Sequence, residues 1–273
     1  MGIFDGILIC TDLDGTLFKN DKTVSRENIE AIEFFKREGG RFTFVTGRMP
    51  QYSSDAYEKI SPNAPFGCIN GGGLYDSLEK KYIWTQSLPY DVVELVRCVD
   101  ETLSDVGIQV AAFDKTYFSK DNDAMVSFRA LTKVPNLVCA YTDVKEPIAK
   151  IIFASSKEDE ILAVERLLRA HPRAPEFDFI RSERTLFEIL PRGINKGTAI
   201  QKLVEHLGLD SNKTIAIGDY NNDIAMFGTA KIGIAVANAC PEALERADMV
   251  TVSNEEHAIA KVIYDLRDGK IKL

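Results

Sequence analysis

Hydrophobic and polar positions along this chain alternate between two periods. Ile7-Leu8-Ile9-Cys10-Thr11 is a continuous apolar run that stops at Asp12, the pattern of a strand covered on both faces. Ser25 to Glu38 reads as a helix, with Ser25 as N-cap, Asn28 where a capping box places Glu or Gln, apolar Ile29, Ile32 and Phe35 at helical spacing, and Gly39-Gly40 as the stop. Arg41 to Thr46, Thr214 to Gly218 and Ile232 to Val236 are further strands. Strands alternating with helices predict an α/β fold around a parallel, Rossmann-like sheet.

The middle of the chain breaks that rhythm. It reads as helix 91–103, strand 108–113, a polar stretch, strand 149–154, helix 158–170, and strands 177–181 and 185–190. The last two flank Arg181-Ser182-Glu183-Arg184, which suggests a hairpin and so an antiparallel or mixed sheet. A segment with its own helices and sheet, bounded on both sides by parallel α/β pattern, predicts a domain inserted into another.

Composition narrows the function more than the fold. The 273 residues, 45% hydrophobic and 27% charged, suit one large or two ordinary globular domains. A formal charge of 33 − 41 = −8 argues against nucleic acid or an anionic membrane as the main partner. The five cysteines (10, 68, 98, 139 and 240) have no C-x-x-C spacing, which predicts reduced, mostly buried thiols in a cytoplasmic protein. The N-terminal apolar run is too short and too soon acidic for a signal peptide, and no run approaches the ~20 residues of a membrane span.

Three core strands end in chemistry. The first ends at Asp12, with Asp14 two positions on; the second in Thr46-Gly47-Arg48; the third in Gly218-Asp219, followed by Asn222-Asp223. In an open parallel sheet the ligand site lies beyond the carboxyl ends of the strands, so these groups should meet although ~200 residues separate them. Converging carboxylates need a cation, and an oxygen-only ligand set suits Mg²⁺. The three histidines, His171, His206 and His257, are scattered, which argues against zinc and against a Ser-His-Asp arrangement. A carboxylate beside Mg²⁺ can attack phosphorus and form an aspartyl-phosphate. Thr46 hydroxyl and Gly47 amide, at the start of the helix expected to follow, could hold the phosphate. Lys196 sits at the apparent N-terminus of another helix, where its charge opposes the macrodipole, a local anomaly that points to a task.

Asp12-Leu13-Asp14-Gly15-Thr16-Leu17, Thr46-Gly47-Arg48, Asn195-Lys196-Gly197 and Gly218-Asp219-Tyr220-Asn221-Asn222-Asp223 resemble, in order, the four motifs of the haloacid dehalogenase (HAD) superfamily. The match is closest to its Cof-type (class IIB) phosphatases, with supporting stretches at Asn70-Gly71-Gly72, Ile234 to Ala239, Pro241, Ala247-Asp248 and Val252-Ser253-Asn254. The resemblance implies a HAD core over 1–85 and 190–273 and an inserted α/β cap of type C2 over 86–189 that selects the substrate. It implies a Mg²⁺-dependent phosphatase acting on a small phosphorylated metabolite, such as a sugar phosphate, as a monomer or homodimer.

By the same resemblance Asp12 is nucleophile and metal ligand. Asp14 is general acid and then base, a proton held at neutral pH by crowded, anionic surroundings, with its backbone carbonyl on the metal. Thr46, Gly47, Lys196 and Asn222 hold the phosphate; Asp219 completes the metal site, and Asp223 ligates or, with Asn222, orients it. Gly15 permits a sharp turn over the phosphate. The chain departs from the family at Gly72, where alanine is commoner, at Val236, often methionine, and at His257-Ala258 in place of Asp-Gly. A phosphomutase using the same chemistry, or a receiver-like signalling module, are the competing readings. In the insert, Arg129, Lys150, Arg181 and Arg184 are either leaving-group contacts or, the preferred reading, solvated charges.

Overall fold

The computed structural model describes residues 2–132 and 135–273. Packing divides the chain into two compact units, Met1–Thr85 with Asn195–Leu273, and Gln86–Ile194. The first unit opens with β1 (Leu8–Thr11), α1 (Arg26–Arg37), β2 (Arg41–Phe44), α2 (Ser54–Ile60), β3 (Phe66–Cys68), β4 (Gly73–Asp76) and β5 (Lys81–Thr85). The second unit contains α3 (Val93–Thr102), β6 (Gly107–Ala112), β7 (Thr116–Lys120), α4 (Asp123–Thr132), β8 (Leu137–Val138), β9 (Ile148–Ala154), α5 (Glu158–Ala170), β10 (Phe177–Glu183) and β11 (Leu186–Pro191). The chain then completes the first unit with α6 (Lys196–Leu207), β12 (Thr214–Gly218), α7 (Ile224–Thr229), β13 (Ile232–Ala235), α8 (Pro241–Arg246), β14 (Met249–Val250) and α9 (Ala258–Arg267).

In the first unit five parallel strands run in the order β14-β13-β12-β1-β2. β1 is wholly buried, which is why its sequence is a continuous apolar run rather than an alternation. Helix α1 starts where Ser25 accepts a hydrogen bond from the Asn28 amide at 3.2 Å. Asn28 does not close a capping box. It is buried, and its Oδ1 instead accepts from the Ala260 amide at 2.9 Å, tying α1 to α9. A small antiparallel sheet, β3-β4-β5, belongs to the same unit and was not foreseen from sequence, because its first two strands meet in the glycine-rich run 67–73 that reads as a loop.

The second unit is a six-stranded sheet in the order β10-β11-β9-β6-β7-β8, antiparallel except for the β7–β8 pair. Alternate residues of three neighbouring strands, Ile108 and Val110, Ile151 and Phe153, Phe187 and Ile189, share one apolar core with Leu95, Val96 and Val99 of α3 and Ile161, Val164 and Leu168 of α5. The residues between them point to the other face, and there β9 carries Lys150, buried and 2.8 Å from Glu188. Lys150 is therefore not a solvated charge. Arg181 and Arg184 both pair with Glu158, and Arg129 pairs with Asp121 and lies over the Phe118 ring. The polar stretch after β6 in fact holds β7, α4 and β8, elements whose mixed polarity hides their period.

Candidate active site

Strand order places the acids. β1 lies between β12 and β2, in register Thr11↔Ile217 and Thr11↔Phe44. Neighbouring strands are about 4.8 Å apart, so the residues that follow Thr11, Phe44 and Gly218 leave the sheet side by side. The Asp12 amide still donates to Ile217 O at 2.8 Å, and Val45 donates to Thr11 O at 2.9 Å. The carboxylate oxygens of Asp12, Asp219 and Asp223 come within 4.8 Å of one another.

Lys196 stands among them. It opens α6 behind the N-cap Asn195, whose side chain accepts from the Thr198 amide. Its ammonium donates to Asp12 Oδ1 and to Asp223 Oδ1, both at 2.6 Å, with only 1% of the residue exposed. Burial works against that charge, but the two carboxylates outweigh it and hold the lysine protonated. A buried ion pair costs each ion several kcal/mol of hydration and seldom improves stability over apolar packing. Its presence here therefore argues for chemistry rather than for fold.

Asp223 is used on all sides. Its Oδ2 accepts from the amides of Asp219 and Tyr220, each at 2.9 Å, while Oδ1 takes Lys196. Gly218 leaves it room: a Cβ there would lie 2.5 Å from the Asp223 side chain. Asp219 accepts from Thr16 Oγ1 at 2.8 Å, a partner that sequence reasoning did not assign. Gly15 has φ +82°, and a Cβ on it would lie 2.4 Å from Asp219 Oδ2, so both turn and close approach require glycine.

If all three carboxylates were ionised, the single Lys196 ammonium would leave two negative charges uncompensated, and the acids resist that state. Burial and then the Asp223 charge push Asp219 up to about 6, against the pull of Thr16 and Lys196. Burial likewise raises Asp12 well above the usual carboxylate range, with Asp223 and Asp219 adding to it and Lys196 opposing. An oxygen donor set with excess negative charge fits a hard divalent cation.

Asp14 is different, and it reverses an expectation. Burial pushes its carboxyl up, but Arg48 and Lys22 outweigh burial and hold it below its ordinary value. Arg48 donates from Nε to Oδ2 at 3.0 Å and from Nη2 to Oδ1 at 2.8 Å; Lys22 donates to Oδ1 at 2.9 Å. The surroundings of Asp14 are thus cationic, not anionic, and the raised carboxyl of the pair is Asp12. The Asp14 carboxylate lies outside the acidic triad.

Thr46 is buried just after β2, and its Oγ1 accepts from the Arg48 amide at 3.2 Å. Gly47 does not begin a helix. Met49 is extended (φ −73°, ψ 154°) before Pro50, and a short 3₁₀ turn (Pro50–Tyr52) precedes α2, because a residue before proline is kept out of helical conformation. Asn222 lies in the 3₁₀ turn Asn221–Asp223, and its Nδ2 donates to Asn70 Oδ1 at 3.2 Å. Arg48 and Asn70 were visible in the sequence only as parts of motifs; no local signal shows that one holds Asp14 and the other Asn222. Among the cysteines only Cys10 and Cys68 are buried; Cys98, Cys139 and Cys240 are half-buried, so the thiols are less hidden than expected. His171, His206 and His257 are spread over separate elements, and His257 lies 3.5 Å from Glu27.

Comparison with known proteins agrees with this geometry. Residues 9–263 match the model of the haloacid dehalogenase-like hydrolases, and the chain belongs to that family. It is a hydrolase, and several of its relatives are named as phosphatases. It is 26% identical over 258 residues to the Bacillus subtilis 5-amino-6-(5-phospho-D-ribitylamino)uracil phosphatase YitU, covering 94% of this chain and 96% of that one. It is 28% identical over 287 residues to the B. subtilis enzyme of the same name, YwtE, covering 96% and 98%. A haloacid dehalogenase-like hydrolase from Bacteroides thetaiotaomicron superposes with a TM-score of 0.83 at 25% identity, over 95% of this chain and 99% of that one. The HAD subclass IIB sugar phosphatase BT4131 shares the fold with a TM-score of 0.83 at 20% identity, over 97% and 100%. No helix among the described residues is long and apolar enough to cross a membrane.

Proposed function

We propose that this HAD-family phosphatase is a Mg²⁺-dependent phosphomonoesterase of the cytoplasm that acts on a small polyhydroxylated metabolite through a phosphoryl group carried on Asp12. The observation that carries the reading is the buried cluster of Asp12, Asp219, Asp223 and Lys196 at the carboxyl edge of the parallel sheet. Asp12 and Asp219 would hold Mg²⁺ through their carboxylates and Asp14 through its backbone carbonyl, with Asp223 a further ligand or the anchor of the loop. The cation, when bound, offsets negative charge on the transferring oxygens.

An Asp12 carboxylate oxygen attacks phosphorus, and the bond from phosphorus to the leaving oxygen breaks. Asp14 gives a proton to that oxygen, so the product leaves as an alcohol. Water then attacks phosphorus, Asp14 takes its proton, the bond from Asp12 to phosphorus breaks, and inorganic phosphate leaves. The Lys196 ammonium, Thr46 hydroxyl and the amides of Gly47 and Asn222 meet phosphate oxygens. For Asp14 to act as acid it must exchange its contacts with Arg48 and Lys22 for a proton and the leaving oxygen.

The unit Gln86–Ile194 is proposed as the substrate-selecting cap. A metabolite with several hydroxyls agrees with the ribitylamino and sugar phosphates named for the relatives. Release of inorganic phosphate from p-nitrophenyl phosphate and from a panel of phosphorylated metabolites, with and without Mg²⁺, tests the reading. Metal-dependent release that is lost in Asp12→Asn supports it, and full activity in that variant overturns it. An isomerised phosphosugar in place of free phosphate would identify a mutase instead.

A further inference from the structure

Between β3 and β4 the chain makes a turn that is unlike an ordinary hairpin tip. Ile69 and Asn70 both adopt left-handed backbone, φ +56° and +51°, followed by Gly71 at φ +97°. A β-branched residue in that region is strained, and such strain persists only where its surroundings hold it. The tip is also buried: Ile69 and Asn70 are both 0% exposed.

What holds the turn is the site. The Ile69 amide donates to Arg48 O and the Asn70 amide to Thr46 O, each at 3.0 Å, while Thr46 donates to Gly67 O at 3.0 Å. Gly71 packs on the start of α6 so closely that a Cβ would lie 1.9 Å from Asn195 O and 3.2 Å from Lys196 N. The Asn70 carboxamide lies against Gly47, where a Cβ would meet its Oδ1 at 2.9 Å and its Nδ2 at 3.2 Å. Its Oδ1 accepts from Asn222 Nδ2 at 3.2 Å. One turn thus touches the loop after β2, the start of α6 and the loop after β12.

We propose that Asn70 is a positioning residue of this hydrolase: its carboxamide, seated on Gly47, fixes the distance and direction of the Gly47 and Asn222 amides so that both converge on one phosphate oxygen. The proposal rests on the phosphatase reading above. It explains why a strained residue is asparagine: among residues with side chains it tolerates left-handed backbone best, and it still offers an acceptor to Asn222. It also gives Gly47 a reason to be glycine other than helix geometry.

The test separates backbone from side chain. Asn70→Gly keeps the left-handed turn and removes the carboxamide, whereas Asn70→Asp keeps the shape and the acceptor but adds a negative charge beside the phosphate. With p-nitrophenyl phosphate and Mg²⁺, Asn70→Gly should raise KM and the inhibition constant of inorganic phosphate about tenfold, with a smaller loss in kcat and an almost unchanged melting temperature. Asn70→Asp should raise both constants further. Asn222→Ala should add little in the Asn70→Gly background, because the amide has already lost its anchor. A wild-type protein that turns over while both Asn70 variants keep KM and phosphate inhibition within twofold overturns the positioning role alone, as does full additivity with Asn222→Ala. A wild-type protein that releases no phosphate from any substrate overturns the phosphatase reading and this proposal together.

Discussion

Arg48 grips Asp14 with one edge of its guanidinium, Nε on Oδ2 at 3.0 Å and Nη2 on Oδ1 at 2.8 Å. The same guanidinium reaches Asp55 at 3.3 Å and lies over the Phe18 ring, so it is held from behind. This fork keeps Asp14 ionised, although the proposed chemistry first asks it for a proton. In Arg48→Met only Lys22 still restrains Asp14, and its carboxyl moves up. The basic limb of the kcat/KM profile, which reports loss of the acid's proton, should then shift to higher pH. An unmoved limb would mean that another group supplies the proton.

Asp219 gives a stability signature with a definite sign. Its carboxyl is pushed up to about 6 in the folded chain, against about 3.9 when unfolded. Folding therefore takes up a proton between those values. The stabilising contribution is complete below about pH 4 and is lost as pH rises through about 6. In EDTA at pH 7, Asp219→Asn should melt a few degrees above wild type, and the two should converge near pH 4. Added Mg²⁺ should raise the wild-type melting temperature at pH 7 more than that of the variant. A variant that melts lower than wild type in EDTA would mean that carboxylate crowding is not what raises Asp219.

Lys196 is the counter-case, since it relieves the crowding. Lys196→Met strands the Asp12 and Asp223 carboxylates in a buried site, at a cost of about 3–5 kcal/mol. At roughly 2–4 °C per kcal/mol for a chain of this size, calorimetry should show a fall of about 10 °C. Mg²⁺ should restore part of it, because both additions answer the same excess charge. Recovery with an equal concentration of Na⁺ would point to screening rather than binding.

Asp12→Asn removes the proposed nucleophile and keeps the shape. Turnover should fall at least about a thousandfold, while the far-ultraviolet circular dichroism stays that of the wild type. Rapid-quench experiments should recover labelled phosphate on the wild-type protein, stable in acid and labile in base, and none on Asp12→Asn.

Much of this architecture could be read from residues alone because it follows from local rules. An unbroken apolar run that ends in Asp12 marks a buried parallel strand and its functional edge, and the same logic finds Thr46 and Asp219. Lys196 was conspicuous because a cation at a helix N-terminus needs a reason. What escaped was everything set by distant partners. The cationic setting of Asp14 depends on Arg48, 34 residues away, and on a turn at Lys22, so reading Asp14 by its acidic neighbours in sequence reversed its electrostatics. Lys150 looked like surface charge because its partner, Glu188, comes from a strand 38 residues later. The β3–β4–β5 sheet hid behind glycines whose use, close approach to Asn195, Ala199 and Tyr82, exists only in the folded chain.

β1 receives its second neighbour late. On one side it pairs with β2, some thirty residues on, but on the other it pairs with β12, which begins only at Thr214, after the entire Gln86–Ile194 unit. A chain emerging from the ribosome therefore carries Asp12 for most of its synthesis with neither Lys196 nor Asp219 beside it. The acids are brought together by the same strand pairing that joins the two halves of the first unit, so the acidic triad assembles only when that pairing forms.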